Sequence, residues 1–146
     1  MRPEIEQALA RIEPYLSRLD QLDPETLRKV HGLTQKLKEI QTRDRAQNGY
    51  LEFVRQAWPA FIKGKHHELM ANAFERVAEG NLKRLIINMP PRHTKSEFAS
   101  YLLPAWFLGR NPDGKVIQTA HTAELAVGFG RKVRTLVGSD EYQKIF

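Results

Sequence analysis

Arg92, Lys95 and Ser96 lie close enough together to handle a phosphorylated ligand jointly. A lysine ammonium neutralises β- and γ-phosphate oxygens, a serine hydroxyl serves as a magnesium ligand, and a guanidinium stabilises charge on a phosphoryl group as its bond breaks. Their setting is Met89-Pro90-Pro91-Arg92-His93-Thr94-Lys95-Ser96. It has the length and the Lys-Ser ending of the phosphate-loop pattern, in which glycine, four residues and a second glycine precede Lys-Ser/Thr. Both glycines are replaced. Thr94 stands where the second belongs, and threonine lacks glycine's backbone freedom, so strain or weaker binding is expected there. Pro91, Arg92, His93, Thr94, Lys95 and Ser96 are the candidate cofactor-binding residues. Lys95 and Arg92 are the candidate catalytic groups, with Ser96 as the Mg²⁺ ligand; a plain surface role for Arg92 remains open.

Such a loop works only if something aims its amides at the anion. The usual arrangement is a buried strand, a turn and a helix whose N-terminus presents free N–H groups and the positive end of its dipole. Leu82 to Met89 contains the run Leu85-Ile86-Ile87 and predicts a short buried strand. Pro90-Pro91 cannot continue it. Ser96 to Leu108 predicts a helix, kinked in its later half by Pro104. Asn111-Pro112-Asp113-Gly114 predicts a turn, Lys115 to Ala120 a second strand, and Ala123 to Val137 a second helix weakened by Gly128 and Gly130. Strands alternating with helices predict an α/β fold, a P-loop NTPase-type parallel sheet with right-handed crossovers, incomplete over this length.

Upstream, the pattern changes. Ile5, Leu9, Ile12, Leu16 and Leu19 recur at helical spacing, with Pro14 expected to kink or split that run. Asp23-Pro24-Glu25 reads as a helix start capped by Asp23. Leu27, Val30, Leu33, Leu37 and Ile40 then form a second stripe. Residues 1–47 are therefore expected to be a helical hairpin or arm and residues 48–146 a P-loop region, with the polar stretch from Arg43 to Gly49 as turn or linker. Within the second region, Leu51 to Trp58 is amphipathic and ends at Pro59. Lys65 to Glu79 predicts a helix with Leu69, Phe74 and Val77 facing inward and Gly80 as terminator.

The chain carries a net charge of +6, which favours polyanionic partners because lysine and arginine displace phosphate counterions. The excess is uneven. Residues 1–49 hold 9 Lys+Arg against 8 Asp+Glu, and the remainder 14 against 9, so the positive part is also the part with the loop. There is no cysteine, which excludes disulfides and thiolate metal sites. No apolar run spans a bilayer and Met1-Arg2-Pro3-Glu4 lacks a secretory signal's apolar core, so neither a secreted nor a membrane protein is expected.

The stretch Arg84-Leu-Ile-Ile-Asn-Met-Pro-Pro-Arg-His-Thr-Lys-Ser-Glu97 resembles the deviant Walker A segment of the large terminase subunits of tailed phages, where Pro-Pro-Arg-His-Gly-Lys-Ser is a common form. The flanks are similar as well. Gly64-Lys65-His66-His67 and Glu75-Arg76-Val77-Ala78-Glu79-Gly80 resemble the family's helix before its first strand. Thr119-Ala-His-Thr-Ala-Glu-Leu-Ala126 and Phe129-Gly-Arg-Lys-Val-Arg134 resemble its second strand and following helix. The resemblance covers roughly residues 50–146. It implies an ATPase, with ATP and Mg²⁺ as cofactors, that drives double-stranded DNA into a prohead. The implied partners are the portal protein, the small terminase subunit and copies of itself in a homo-oligomeric ring. The implied location is the host bacterial cytoplasm, transiently at the prohead portal.

Two departures qualify it. Thr94 replaces the family's glycine. After Ser96 the acidic residues are Glu97, Asp113, Glu124, Asp140 and Glu141, and none ends an apolar strand as a Walker B carboxylate must. The expectation is a fragment or truncated product, without Walker B or the nuclease domain, that binds nucleotide weakly and hydrolyses little. Two alternatives stay open: a helicase-like P-loop ATPase fragment, and a non-catalytic binding module with a degenerate loop.

Three further features carry less. His67-Glu68-Leu69-Met70-Ala71 begins like a zinc-protease helix but has Ala71 where the second histidine belongs, so no metal site is expected. By position the segment could instead lie near the adenine. Arg131, Lys132 and Arg134 form a basic cluster, by default a solvated face and otherwise a contact for DNA phosphate or a neighbouring nucleotide. Trp58 and Trp106 are expected core anchors.

Overall fold

The computed structural model describes residues 3–16 and 22–146. The expected Leu19 position lies outside them, and so does the Leu16 side chain. The chain divides into two units, Met1–Asp44 and Arg45–Phe146.

In the first unit, α1 (Pro3–Leu16) and the larger part of α2 (Pro24–Asn48) pack Ile5 and Ile12 against Val30 and Leu37, with Leu22, Leu33 and Ile40 at the edge. The helical stripes of the sequence therefore meet in one seam. α1 runs through Pro14 rather than splitting there. Asp23 caps α2 as expected: its Oδ1 accepts the backbone N–H groups of Glu25 and Thr26, both at 3.0 Å. The Thr26 side chain first, and then these backbone bonds, hold its carboxyl below the ordinary aspartate value.

Arg43 to Gly49 is not a linker. α2 continues to Asn48, and Gly49 directly precedes α3 (Tyr50–Ala57). Tertiary contacts override the local turn signal. Ala46 is fully buried and its carbonyl accepts the Trp106 indole N–H at 3.1 Å, while the Gln47 amide donates to the Ile145 carbonyl.

The second unit adds α4 (Lys65–Ala78), a π-helical segment (Glu97–Leu102) running directly into α5 (Leu103–Arg110), α6 (Ala123–Val137) and α7 (Asp140–Ile145). Its core is largely aromatic. Tyr50 makes edge contacts with Phe74, Phe98 and Trp106 at centroid distances of 5.4 to 5.6 Å. α4 ends where the sequence places its stop: Gly80 is left-handed (φ 77°) and its N–H returns to the Val77 carbonyl. Within α4 the inward residues are His67, Met70, Ala71 and Phe74, at helical spacing. Leu69, expected inside, is 75% exposed. Trp106 is buried, as expected, whereas Trp58 is only half-buried and rests on Phe61.

The expected α/β sheet is absent: among the described residues every regular element is a helix. Leu82–Met89 and Lys115–Ala120 adopt no regular secondary structure and form no strand ladder, and so no crossover connects them. The physical reason lies in what a strand requires. β-propensity reports side chains packed among neighbouring strands, and a parallel strand is covered on both faces. Here Ile87 packs on the helical core while Ile86 is 87% exposed; in the other segment Ile117 is 89% exposed. One covered face and no strand ladder leave two irregular connectors. No helix among the described residues is long and apolar enough to cross a membrane.

The π segment follows from Pro104, which the sequence expects to kink the helix. Proline has no N–H to give and its ring crowds the preceding turn, and the turn before it widens. Leu103 N–H bonds the Phe98 carbonyl, five residues back, and the buried Tyr50 hydroxyl donates to the same oxygen at 2.6 Å. The Ser100 carbonyl, four residues before Pro104, is satisfied instead by the Gln118 amide at 2.5 Å. That bond also ties the second of these connectors to the helix.

Candidate functional site

The loop between Leu82–Met89 and the π segment is a turn at Pro91-Arg92, a bend through His93-Thr94, and a helical start at Lys95-Ser96. It surrounds a hollow of ≈ 450 Å³ lined wholly by Met89 to Glu97. The expected strand-to-helix junction is not formed, because the strand is absent and only the helix is present. The helix begins where the sequence puts it and runs without interruption to Arg110, but the approach to it is an irregular segment.

All six cofactor-binding candidates, Pro91 to Ser96, line this hollow. Pro91, Arg92, His93 and Ser96 are exposed, while Thr94 and Lys95 are half-buried. Arg92 (φ 65°) and Thr94 (φ 59°) are both left-handed. That backbone is the glycine-like conformation which the sequence pattern lacks glycine to supply. For a β-branched residue it costs about 1–2 kcal/mol.

Side-chain bonds hold the strained turn. His93 Nδ1–H donates to the Pro91 carbonyl at 2.9 Å. The Thr94 hydroxyl donates to the His93 carbonyl at 2.6 Å. That same oxygen lies 2.6 Å from His67 Nε2 on α4. The His67 tautomer follows from its other nitrogen: Nδ1 accepts the Gly64 N–H at 2.8 Å, so Nε2 carries the proton and donates to Thr94. Thr94 thus uses its hydroxyl in both senses, once as donor and once as acceptor. His67 is the residue that sequence reasoning missed, having weighed it only as a degenerate metal ligand or a neighbour of adenine. Its signal was positional: it is the third residue of α4 after Gly64, where a side chain can reach back to the helix's own first amide.

The electrostatics suit an anion. Among the described residues no carboxylate pairs with Arg92 or Lys95, and no carbonyl accepts from the amides of Arg92, His93 or Thr94. Glu97, the one acid lining the hollow, is drawn to Lys132 of α6 at 2.8 Å. Lys132 also stands 5.7 Å from the Tyr101 and Phe129 ring centres, so this member of the basic cluster is engaged; Arg131 and Arg134 are exposed. The Ser96 hydroxyl, exposed at the helix start, suits a magnesium ligand that faces a phosphate. Among the described residues no three His, Asp or Glu side chains gather to hold a metal, so Mg²⁺ there would need phosphate oxygens beside Ser96.

No family model matches the chain, and comparison with curated proteins and with solved structures finds no similar one.

Proposed function

We propose that the loop from Pro91 to Ser96 binds the triphosphate of ATP, and that the chain serves a DNA-packaging motor of the large-terminase kind. The observation that carries the proposal is the open, left-handed loop that delivers Lys95 and Ser96 to the first turn of a helix, around a hollow free of carboxylate pairing. A helix start with unpaired amides favours phosphate whether or not a sheet lies behind it. Lys95 would neutralise β- and γ-phosphate oxygens, Ser96 would offer its hydroxyl to Mg²⁺, and Arg92 would reach the outermost phosphate from the solvent side. The group supplied on binding is a γ-phosphoryl that water can attack. In the motor, the partners would be double-stranded DNA, the portal protein, the small terminase subunit and further copies of the chain, in the host cytoplasm and transiently at the prohead.

Isothermal titration of the full chain with Mg-ATP tests the nucleotide site. Binding is expected for the natural chain, with a loss of at least about tenfold in Lys95→Ala, since one charge-assisted phosphate contact is worth roughly 1.5–3 kcal/mol. No heat from either protein would remove the nucleotide reading and leave a binding module whose loop takes no triphosphate.

A further inference from the structure

We propose that His67 is a positioning residue for the loop: its neutral ring holds Thr94 in the left-handed conformation that keeps the hollow open, and a proton on Nδ1 releases it. The consequence for phosphate rests on the nucleotide reading above; the mechanical coupling does not.

The ring is 4% exposed and fixed on every side. Phe61 and Phe98 each contact it at 4.8 Å between centroids, and His66 lies 3.8 Å away. The polar contacts number two, the Gly64 amide at Nδ1 and the Thr94 hydroxyl at Nε2; together they select the neutral Nε2–H tautomer, because Nδ1 must be unprotonated to accept the Gly64 N–H. Adding a proton at Nδ1 sets two N–H donors against each other at 2.8 Å. The ring must then leave its seat, and Nε2 leaves Thr94 with it. The surroundings offer the imidazolium no counter-charge. On its own helix the neighbours are His66 and Glu68, and Glu68 is already paired with Lys63 at 2.5 Å. From the Trp58–Gly64 stretch come Lys63 and the apolar Phe61. From the loop comes His93, which approaches His66 at 6.0 Å. The π segment presents Phe98, and its Glu97 is held by Lys132. Burial, and then the charge of His66, both press the His67 pKa below its ordinary value, so the neutral ring is the resting state near pH 7.

Thr94 is what makes the device possible. A glycine at this position would hold positive φ unaided and would have no hydroxyl for His67 to grip. The threonine needs the grip, and so passes the state of one buried ring to the loop.

The test is heteronuclear NMR of the full chain between pH 5 and 8, alongside binding of a fluorescent Mg-ATP analogue over the same range. The Thr94 and Lys95 amide shifts are expected to follow the His67 ring with one shared midpoint below 6.5. In Thr94→Val the ring should still titrate while those amides no longer track it. In His67→Gln, whose amide N–H can replace Nε2–H without titrating, the component with the His67 midpoint should vanish. If nine-tenths of the loop is released at low pH, apparent nucleotide affinity falls about tenfold between pH 7.5 and 5.5, and His67→Gln should flatten that slope. Loop amides that ignore the His67 midpoint, or the same pH slope in His67→Gln, would overturn the proposal. Loop amides that track His67 in a chain that binds no Mg-ATP at any pH would support it and sink the nucleotide reading alone.

Discussion

Replacing Thr94 with glycine pits two effects of opposite sign. Glycine removes the left-handed strain, a gain of about 1–2 kcal/mol. It also deletes the hydroxyl that donates to the His93 carbonyl and accepts from His67. Each hydrogen bond contributes about 0.5–1.5 kcal/mol net, so the pair is worth roughly 2 kcal/mol, and glycine's extra freedom in the unfolded chain costs a further ~0.4–1 kcal/mol. The balance predicts that Thr94→Gly destabilises the second unit by about 1 kcal/mol, a fall in Tm of roughly 4–8 °C for a domain of this size. Thr94→Val loses the same bonds, keeps the strain and puts a methyl group where water could reach the His67 N–H in the glycine variant, which predicts a larger loss of about 2–4 kcal/mol. Urea unfolding followed by tryptophan fluorescence reads both, since Trp106 is fully buried in this unit. The expected order of stability is natural chain, Thr94→Gly, Thr94→Val. If Thr94→Gly is the most stable of the three, the hydroxyl bridge does not outweigh the strain and the account of the loop fails.

Two further outcomes follow. The depressed His67 pKa means that the unfolded chain binds a proton more readily than the folded one, so the stability it contributes should be complete above about pH 6.5 and decline as pH falls from there through the folded pKa; urea midpoints across pH 5–8 should show this decline, and His67→Gln should lack it. Tyr50→Phe should cost about 1 kcal/mol, because the Phe98 carbonyl loses the phenol but keeps the Leu103 N–H, and a calorimetric scan in which the variant melts at or above the natural chain would count against that bond.

The helices were largely readable from residue pattern because their signals are local. Asp23-Pro24 marks a start and Gly80 a stop, and α6 spans the expected Ala123 to Val137 despite Gly128 and Gly130, with Thr122 accepting the Leu125 N–H at its head. α7 carries a comparable local signal, Ser139 as cap followed by Asp140 and Glu141 in the first turn. Leu69 faces outward because His67, Met70, Ala71 and Phe74 define the inward stripe, and a histidine on that stripe is not an apolar signal. The two strands failed for a different reason. Leu85-Ile86-Ile87 and Val116-Ile117 have strand chemistry, but a ladder is a property of two backbones and cannot be read from one. At the loop, residue types identified Lys95 and Ser96 as a helix start. The bond from His67 to Thr94 joins residues far apart in sequence, and only the fold brings them together.

The helix that starts at Lys95 has its far half clamped. Trp106 is gripped by the Ala46 carbonyl, and the Tyr142 hydroxyl donates to the Ala105 carbonyl at 2.9 Å. Its near end is held as well, since Phe98 is fully buried and its carbonyl accepts the Tyr50 hydroxyl, so Lys95 begins a beam that cannot shift without opening the aromatic interior. If the loop takes an anion as proposed, the adjustment would fall upstream, on the left-handed stretch from Arg92 to Thr94, while the lysine main chain stays put.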